Sequence, residues 1–380
     1  MKSNQSVIFL LMLFLLTAAG ALYSITLLKP SSTTGAQVTQ QKRPVNRSAH
    51  PTPVLWRMAV SATANKPTSL SSGWFVTDSN GRILCLTEKG DIRWQTSYSN
   101  YSWQASAVVD NETLCAVTQN GKLVLFEMNS GAVKWSKETD ITCLHPPLIE
   151  MLGQQRVIIL LSQEDGVLVC LNALDGSIRW RSPATSRSDG PPTRFGDFIA
   201  YGNCDAAVHL YSLTNGQLKG SIPLEGDEQV AGGILPLPDN NLVVVGTRNG
   251  KLALLNTTSL TCIARASVSD SEAFATPVLV DGKRIFMPVS EGRMTFWRIE
   301  NNQLVADGVV KLASQVDESI VVNNILWAIG NRSVYAARIT APSEQLHYTT
   351  LGDDLRSIVP GGDGNAVLIS DGELICVKGF

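Results

Sequence analysis

The strongest constraint on the fold of this chain is a short pattern that recurs along it. Each clear copy has a turn with glycine, an apolar run, a second glycine turn and a strand that ends on tryptophan. The copies are Asn80–Trp94 (NGRILCLTEKGDIRW), Asn120–Trp135 (NGKLVLFEMNSGAVKW) and Asp165–Trp180 (DGVLVCLNALDGSIRW). Two β-rich runs joined by a glycine turn are typical of a β-hairpin. The chain is therefore built from repeated antiparallel units, and their number decides the architecture.

The first turn of the pattern can be followed through eight units. It falls at Gly81, Gly121, Gly166, Ala206, Gly250, Gly292, Arg332 and Gly372. Successive positions are 40 to 45 residues apart, which is the spacing of propeller blades with four short strands each. The runs between the turns lack the 3.6-residue apolar period of helical repeats. We therefore predict an all-β, eight-bladed β-propeller with four-stranded antiparallel blades.

The two ends of the repeated region complement each other. The last unit stops after its third strand, and Pro53–Val60 (PVLWRMAV) looks like an isolated fourth strand. Pairing of this segment with Glu373–Val377 would close the ring and leave no open sheet edge at the seam. We therefore predict that residues 53–380 form the propeller and that an N-terminal strand completes its last blade.

The N-terminus carries an apolar run that is long enough to cross a bilayer. Val7–Leu28 contains 22 residues without a charge, and a transmembrane helix needs about 20. A cleavable signal peptide is the alternative, because residues 19–21 (AGA) fit a small-residue cleavage site. We prefer an uncleaved anchor over residues 1–28, followed by a flexible linker over residues 29–52. Both alternatives predict export to the cell envelope or periplasm, or secretion if the chain is cleaved near Ala21.

The repeat resembles the pyrroloquinoline-quinone (PQQ)-type propeller repeat. The resemblance rests on Gly121–Leu123 followed by Gly131–Trp135, and on the equivalent positions that end at Trp94 and Trp180. It is similar to the BamB-type propellers of the outer-membrane β-barrel assembly machinery. That resemblance implies a protein-binding scaffold in envelope or outer-membrane protein assembly. The first cysteine is Cys85, so the acceptor thiol of a lipoprotein anchor is missing, which departs from that family.

The residues that carry catalysis in PQQ enzymes cannot be recognised in this sequence. Those enzymes stack the cofactor on a vicinal Cys-Cys disulfide, and no two of the seven cysteines here are adjacent. The four histidines show no metal-ligand spacing. Cys85, Cys170 and Cys376 share one repeat position and are predicted to be buried core residues. We predict no enzyme, no catalytic, cofactor-binding or metal-binding residue and no cofactor. The alternative is a PQQ-dependent dehydrogenase or a small-ligand sensor that uses the central channel.

The partners predicted from the sequence are proteins and a membrane. A formal net charge of −2 argues against nucleic acid, whose partners usually carry a basic patch or domain. The protein partner is not identified, and the membrane contact is assigned to the N-terminal segment.

The loops that join one blade to the next lie on one face of a propeller, and here they divide into two sets. The loops before blades two to four are aromatic and basic, and the loops before blades five to eight are acidic. Such a division fits a polarised docking face, and ordinary solvated loops are the alternative. Trp103 is predicted to be exposed, and the alternative places it beneath its loop as a core residue of blade two. The predicted docking residues are Tyr101, Trp103, His145, Arg194, Glu228, Glu272 and Asp353.

The tryptophans that close the repeat are predicted to be structural. Trp94, Trp135 and Trp180 recur at one repeat position, as packing residues do, whereas a catalytic residue would occur once. We expect each of them to pack between neighbouring blades. Blades four to seven lack this tryptophan, so the packing is predicted for only half of the ring.

Overall fold

A computed structural model of the protein describes residues 52–237, 241–270, 272–273, 275–289, 293–311, 316–338, 346–351 and 354–379. The predicted membrane anchor, all but the last residue of the predicted linker, and Asp353 lie outside these residues. Within the described ranges, no helix has the length and apolar character needed to cross a membrane. The propeller belongs to the second of two units defined by contacts, Val45–Phe380.

Among the described residues, 32 strands form eight antiparallel sheets of four strands each. Blades 1 to 4 contain β2 (Thr68–Leu70), β3 (Gly73–Thr77), β4 (Arg82–Thr87), β5 (Ile92–Ser97), β6 (Trp103–Val108), β7 (Thr113–Thr118), β8 (Lys122–Glu127), β9 (Val133–Glu138), β10 (Leu148–Leu152), β11 (Gln155–Leu161), β12 (Leu168–Asn172), β13 (Ile178–Arg181), β14 (Thr193–Phe195), β15 (Phe198–Gly202), β16 (Ala207–Ser212) and β17 (Leu218–Pro223).

The second half of the ring repeats this arrangement, with one 3-10 turn at Gly362–Gly364 in blade 8. Blades 5 to 8 contain β18 (Ile234–Pro236), β19 (Leu242–Gly246), β20 (Lys251–Asn256), β21 (Thr261–Ser267), β22 (Val278–Val280), β23 (Arg284–Phe286), β24 (Arg293–Glu300), β25 (Gln303–Lys311), β26 (Glu318–Val322), β27 (Ile325–Gly330), β28 (Ser333–Arg338), β29 (Leu346–Thr350), β30 (Leu355–Pro360), β31 (Ala366–Ser370), β32 (Glu373–Val377) and, as the fourth strand of blade 8, β1 (Val54–Ala59).

The ring is closed by its N-terminal strand, as predicted. Strand β1 pairs antiparallel with β32, and the register places Trp56 opposite Cys376 and Ala59 opposite Glu373. Blade 8 therefore consists of three strands from the C-terminus and one from the N-terminus. The eight-bladed, all-β fold predicted from the repeat is confirmed.

The sequence of each strand reflects its position in the blade. Second and third strands such as β7 (TLCAVT) and β31 (AVLIS) are buried along their whole length, because neighbouring blades pack on both of their faces. Fourth strands such as β5 alternate between exposed and half-buried residues, because they form the outer wall. The first strands of neighbouring blades contact one another and surround the central channel.

The repeated cysteines are core residues, as predicted. Cys85, Cys170 and Cys376 lie on third strands and are at most 3% exposed. Burial raises the pKa of the Cys170 thiol to about 12 and that of Cys376 to about 11. These thiols are protonated at neutral pH and are therefore poor nucleophiles.

The recurrent tryptophans join neighbouring blades through one contact, which we call the tryptophan clasp. The indole of Trp135 in blade 2 donates from Nε1 to the Ala173 carbonyl in blade 3, at 3.1 Å. Its ring lies against Gly176 in the turn between the third and fourth strands of blade 3. That glycine has φ of +70°, and a Cβ atom there would lie 2.9 Å from the ring, so another residue at position 176 would be strained and crowded.

The same clasp occurs four times in succession. Trp56 of blade 8 bonds to Glu88, Trp94 of blade 1 to Met128, and Trp180 of blade 3 to Leu213. Each ring also packs against a glycine in the next blade, as Trp135 does. The structural role predicted for these tryptophans is confirmed, and Trp56 belongs to the same set.

The junction between blades 4 and 5 reverses the sizes of the two contacting residues. Gly220 occupies the tryptophan position on β17, and Leu260 occupies the glycine position in the turn of blade 5. A Cβ atom at Gly220 would lie 2.3 Å from Cδ1 of Leu260. The large residue therefore comes from the turn and the small one from the strand.

Candidate protein-docking surface

One end of the ring carries both the connections between blades and the turns between second and third strands. In blade 2, the Gln119 N–H donates to the Ser102 carbonyl of the preceding connection (3.1 Å). The Gln119 carbonyl accepts from the Cys143 N–H of the following one (2.9 Å). Arg248 repeats both bonds in blade 5. We call this end the loop face, and these bonds join its segments across blade boundaries.

Trp103 is not part of an exposed surface, so the predicted exposure is wrong. Its side chain is completely buried at the start of β6, and its Nε1 donates to the Gly81 carbonyl at 3.1 Å. Its ring packs edge-on against Tyr98, Tyr101 and Phe126. Trp103 is therefore a core residue that links blades 1 and 2, which is the alternative considered from the sequence.

Tyr98 and Tyr101 are the parts of this aromatic cluster that remain accessible. Both are half-buried, and their rings stack with the two centroids 5.3 Å apart and an interplanar angle of 11°. The Lys122 ammonium lies 4.8 Å from the centroid of the Tyr101 ring, a distance typical of a cation–π contact. A partner would thus meet a stacked aromatic pair whose position is already fixed.

Glu228 is not part of an exposed acidic arc, which corrects a second prediction. Its side chain is fully buried and accepts from Lys251 Nζ at 3.1 Å and from Arg265 Nε at 3.0 Å. Burial pushes the pKa of Glu228 upward, but the backbone N–H of Glu225 and the two cations outweigh it and hold the pKa below its usual range. Glu228 therefore fixes the connection between blades 4 and 5.

Arg194 lies on an inner strand instead of a connection, which corrects a third prediction. It is the middle residue of β14, and its guanidinium pairs with Glu150 on the inner strand of blade 3. Its Nε donates to the Gly196 carbonyl, in the turn that follows β14. That turn lies at the end of the ring opposite the loop face, because successive strands are antiparallel.

His145 and Glu272 do lie in connections on the loop face, whereas Asp353 is outside the described residues. Burial lowers the pKa of His145 to about 4, although Asp189 opposes the change. The imidazole is therefore neutral at physiological pH, and its Nε2 has no hydrogen-bond partner within the described part of the chain. Glu272 is exposed and its carboxylate accepts from Arg248 Nε at 3.1 Å.

A polar network on the loop face was missed from the sequence. The Asp189 carboxylate accepts from Arg187 Nε at 2.9 Å and from Gln163 Nε2 at 3.4 Å, and the Cys204 thiol lies 3.6 Å away. Gln163, Cys204 and Arg248 all follow the second strand of a blade. This shared repeat position could have revealed the network from the sequence, because it brings one side chain per blade to the same end of the ring.

His145 also borders a cavity of about 600 Å³ beside the channel, on the inner wall of blades 1 to 4. Its lining includes Lys66, Gln104 and five prolines: Pro67, Pro146, Pro147, Pro191 and Pro192. A volume of this size falls within the range of small-molecule sites. Apart from Lys66, its lining residues are uncharged at neutral pH.

The opposite wall of the channel, formed by blades 6 to 8, carries charged residues such as Glu318 and Arg356. Lys66, which precedes β2 in blade 1, forms an ion pair with Glu318 on β26. The second carboxylate oxygen of Glu318 accepts from the Ser357 hydroxyl at 2.7 Å and from the Ile358 N–H at 3.1 Å. Among the described residues, no group of three or more His, Cys, Asp or Glu could hold a metal ion.

The closed eight-bladed ring and its tryptophan clasps define a PQQ-type β-propeller. The family model described as "Outer membrane protein assembly factor BamB" matches residues 45–197, 79–231 and 150–329. Together these matches cover about three quarters of the chain. The chain belongs to this family, PQQ_2, and the resemblance predicted from the repeat is confirmed.

Curated relatives of the same description match part of the chain. The protein from Moranella endobia (strain PCIT) is 26% identical over 200 residues, which are 49% of this chain and 48% of that protein. The protein from Taylorella asinigenitalis (strain MCE3) is 27% identical over 209 residues, or 50% of each chain. The matched region therefore spans about half the length of these curated relatives.

Solved structures share the fold at low sequence identity. BamB from Moraxella catarrhalis superposes with a TM-score of 0.69 at 14% identity and covers 86% of this chain and 97% of that one. The C-terminal WD40 domain of Sif2 superposes with a TM-score of 0.71 at 12% identity, covering 87% and 99%. At such identities the similarity establishes the propeller fold alone.

Proposed function

We propose that this chain is a non-catalytic, membrane-tethered scaffold that takes part in outer-membrane protein assembly. The observation that carries the proposal is the match of the BamB family model over about three quarters of the chain. In this proposal Val7–Leu28 anchors the propeller in the cell envelope. The propeller binds protein partners and transforms no substrate.

The loop face is the proposed docking surface. Its connections and turns are held by hydrogen bonds across blade boundaries, so a partner orders little additional backbone when it binds. The Tyr98–Tyr101 stack offers accessible aromatic area, which often dominates interface energy. The exposed Arg248–Glu272 pair offers charge that guides orientation and association. His145 and the polar network around Asp189 complete this surface.

A charge reversal on the loop face tests the proposal in cells. The chromosomal gene is deleted, and the full chain is restored as wild type or as Arg248→Glu with Tyr101→Ala. Folded outer-membrane β-barrel proteins are then quantified by their heat-dependent mobility in gels. We expect the deletion to lower their amount, the wild type to restore it and the double variant to fail.

The matched control is Arg57→Glu with Glu373→Arg, which reverses an exposed ion pair on the outer wall. It should restore assembly as well as the wild type does. Normal levels of folded β-barrel proteins in the deletion strain would contradict the proposed function. Full rescue by the loop-face variant would contradict the proposed docking surface only.

Binding of a small ligand in the cavity beside the channel is the second candidate function, because the volume of the cavity suits a small molecule. We expect the purified full chain to retain no quinone absorbance after incubation with PQQ and calcium followed by desalting. Retention of one equivalent of PQQ would favour the quinone-dependent alternative over the scaffold.

A further inference from the structure

A groove between blades 2 and 3 opens on the outer wall, at the end of the ring opposite the loop face. It has a volume of about 280 Å³ and is bordered by Lys134, Arg156 and Leu174. Leu174 is 84% exposed, the highest value for a large apolar side chain among the described residues. Accessible apolar area therefore lies beside two cations.

The fold does not require a leucine at position 174, and the repeat itself supplies the comparison. Leu174 lies in the turn between the third and fourth strands of blade 3, and its N–H donates to Asn172 Oδ1 at 3.2 Å. In blade 4, the Thr214 N–H donates to Ser212 Oγ at 3.3 Å in the equivalent turn. The bond that closes each turn, from Gly176 or Gly216, is 2.9 Å long in both.

Polar residues occupy this turn position in the other blades that have the same turn, at Asn129, Thr214 and Thr258. The turn therefore forms equally well with a polar side chain, and Leu174 exposes apolar area that folding does not use. Isolated exposed leucines are common, but this one borders a groove that Lys134 and Arg156 also line.

The charges of the groove favour an acidic ligand. Lys134 forms no ion pair with any residue that the structure describes. The equivalent Arg93 and Arg179 bond to groups of their own blades. The groove also contains the carboxylate of Asp110, whose Oδ1 accepts from two backbone N–H groups and from the Thr113 hydroxyl, at 2.7 to 2.9 Å. The charge of Arg156 acts on this carboxylate and offsets it. Lys134 is thus the charge that is left for a ligand.

We propose that this groove is a second protein-docking site, which binds an acidic segment of a partner with one aliphatic side chain packed against Leu174. An apolar contact rimmed by a charge pair is a common arrangement at protein interfaces. The site is independent of the loop face, so either surface can bind without the other.

Site-specific photocrosslinking in living cells tests this site on the full chain. A photoreactive benzoylphenylalanine replaces Gln154, an exposed residue that borders the groove, and in a control chain it replaces Asp197, the equivalent residue of blade 4. We expect an adduct from position 154 and none from position 197. Mass spectrometry should place the adduct on a partner segment with acidic residues around an aliphatic one.

Two variants in the position-154 background complete the test. Leu174→Thr and Lys134→Glu should each lower the adduct yield at least about tenfold. Leu174→Thr should leave the melting temperature unchanged, because threonine already builds this turn in blade 4. The proposal would be overturned if position 154 gave no adduct, or if position 197 gave an equal yield. It would also be overturned by an adduct with a second copy of the chain or with a basic segment, and by an unchanged yield in both variants.

Discussion

The two halves of the ring are held together in different ways. From blade 8 through blade 4, four consecutive junctions use the same tryptophan clasp, with one indole, one glycine and one carbonyl each. Two junctions beyond blade 4 are built from other residues. Leu260 packs against Gly220 between blades 4 and 5, and between blades 7 and 8 the buried Trp327 of a second strand donates to the Gly364 carbonyl.

This difference shows which part of a repeat determines the fold. All eight blades have the same strand order, although only some of them share the clasp. The strand pattern and the buried second and third strands are therefore sufficient for a blade, whereas the junction between two blades can be built from several residue combinations. The predictions below test how much each kind of junction contributes to stability.

The largest effect is expected at the seam between the two termini. Deletion of residues 53–60 removes β1, exposes the edge of β32 and eliminates the clasp of Trp56. We expect the free energy of unfolding to fall by several kcal/mol, because a strand and a large packed side chain are both lost. Urea denaturation of the wild-type and deleted chains measures this loss, and identical midpoints would show that the seam contributes nothing.

The tryptophan clasp should contribute more to the free energy of unfolding than the reversed junction between blades 4 and 5 does. Trp135→Ala is expected to destabilise the protein by about 3 kcal/mol, the lower end of the range for large-to-small core changes, because Trp135 is only half-buried. Leu260→Ala at the junction of blades 4 and 5 should cost about 2 kcal/mol. Equal losses in thermal or urea denaturation would mean that the two junctions are equivalent despite their different geometry.

A double substitution can convert the reversed junction into a clasp. Gly220→Trp alone should destabilise the protein, because any side chain at position 220 collides with Leu260. Adding Leu260→Gly should recover most of the lost stability, because the new indole then packs against a glycine, as the native clasp indoles do against the turns of blades 1 to 4. A double-mutant cycle gives the coupling between the two positions, which we expect to be about 1–3 kcal/mol and favourable. No coupling would show that the clasp needs more than these two residues.

The smallest effect concerns pH and, among the described side chains, falls in the clasped half. Burial lowers the pKa of His145, to about 4, and also that of His209 in blade 4. A histidine whose pKa is lower in the folded than in the unfolded chain stabilises the fold above pH of about 6.5, and this contribution is lost as the pH falls. Between pH 7.5 and 5.5 we expect a loss of about 1 kcal/mol from His145.

Urea denaturation at the two pH values measures this loss, and His145→Gln should reduce it. The window lies above the titration range of the carboxylates, so their contribution stays constant. A greater loss of hydrogen-exchange protection in blades 3 and 4 than in blades 6 and 7 at pH 5.5 would locate the effect. A uniform loss around the ring would contradict that assignment.

Repeated features could be predicted from the sequence, and features that occur once could not. The turns, the eight blades, the closing strand and the structural tryptophans each follow from a position that recurs, so every copy supports the others. Trp103 has no equivalent in the other copies, and its burial depends on Gly81 and Phe126 in separate segments. Glu228 is buried because Lys251 and Arg265 reach it from strands that follow in the chain. Such contacts between distant segments leave no periodic signal.

The pairing of β1 with β32 also sets the path of mechanical load through the molecule. Residues 1–51 lead through Thr52 into β1, so a pull on the N-terminus acts first on the bond from Thr52 to Thr349 of β29 and then on β1. The strand is held by its ladder to β32, by the Trp56 indole on Glu88 and by the Arg57–Glu373 ion pair. Under tension the propeller would therefore begin to open at blade 8, and the force that peels β1 away would limit how strongly the protein can be pulled before it unfolds.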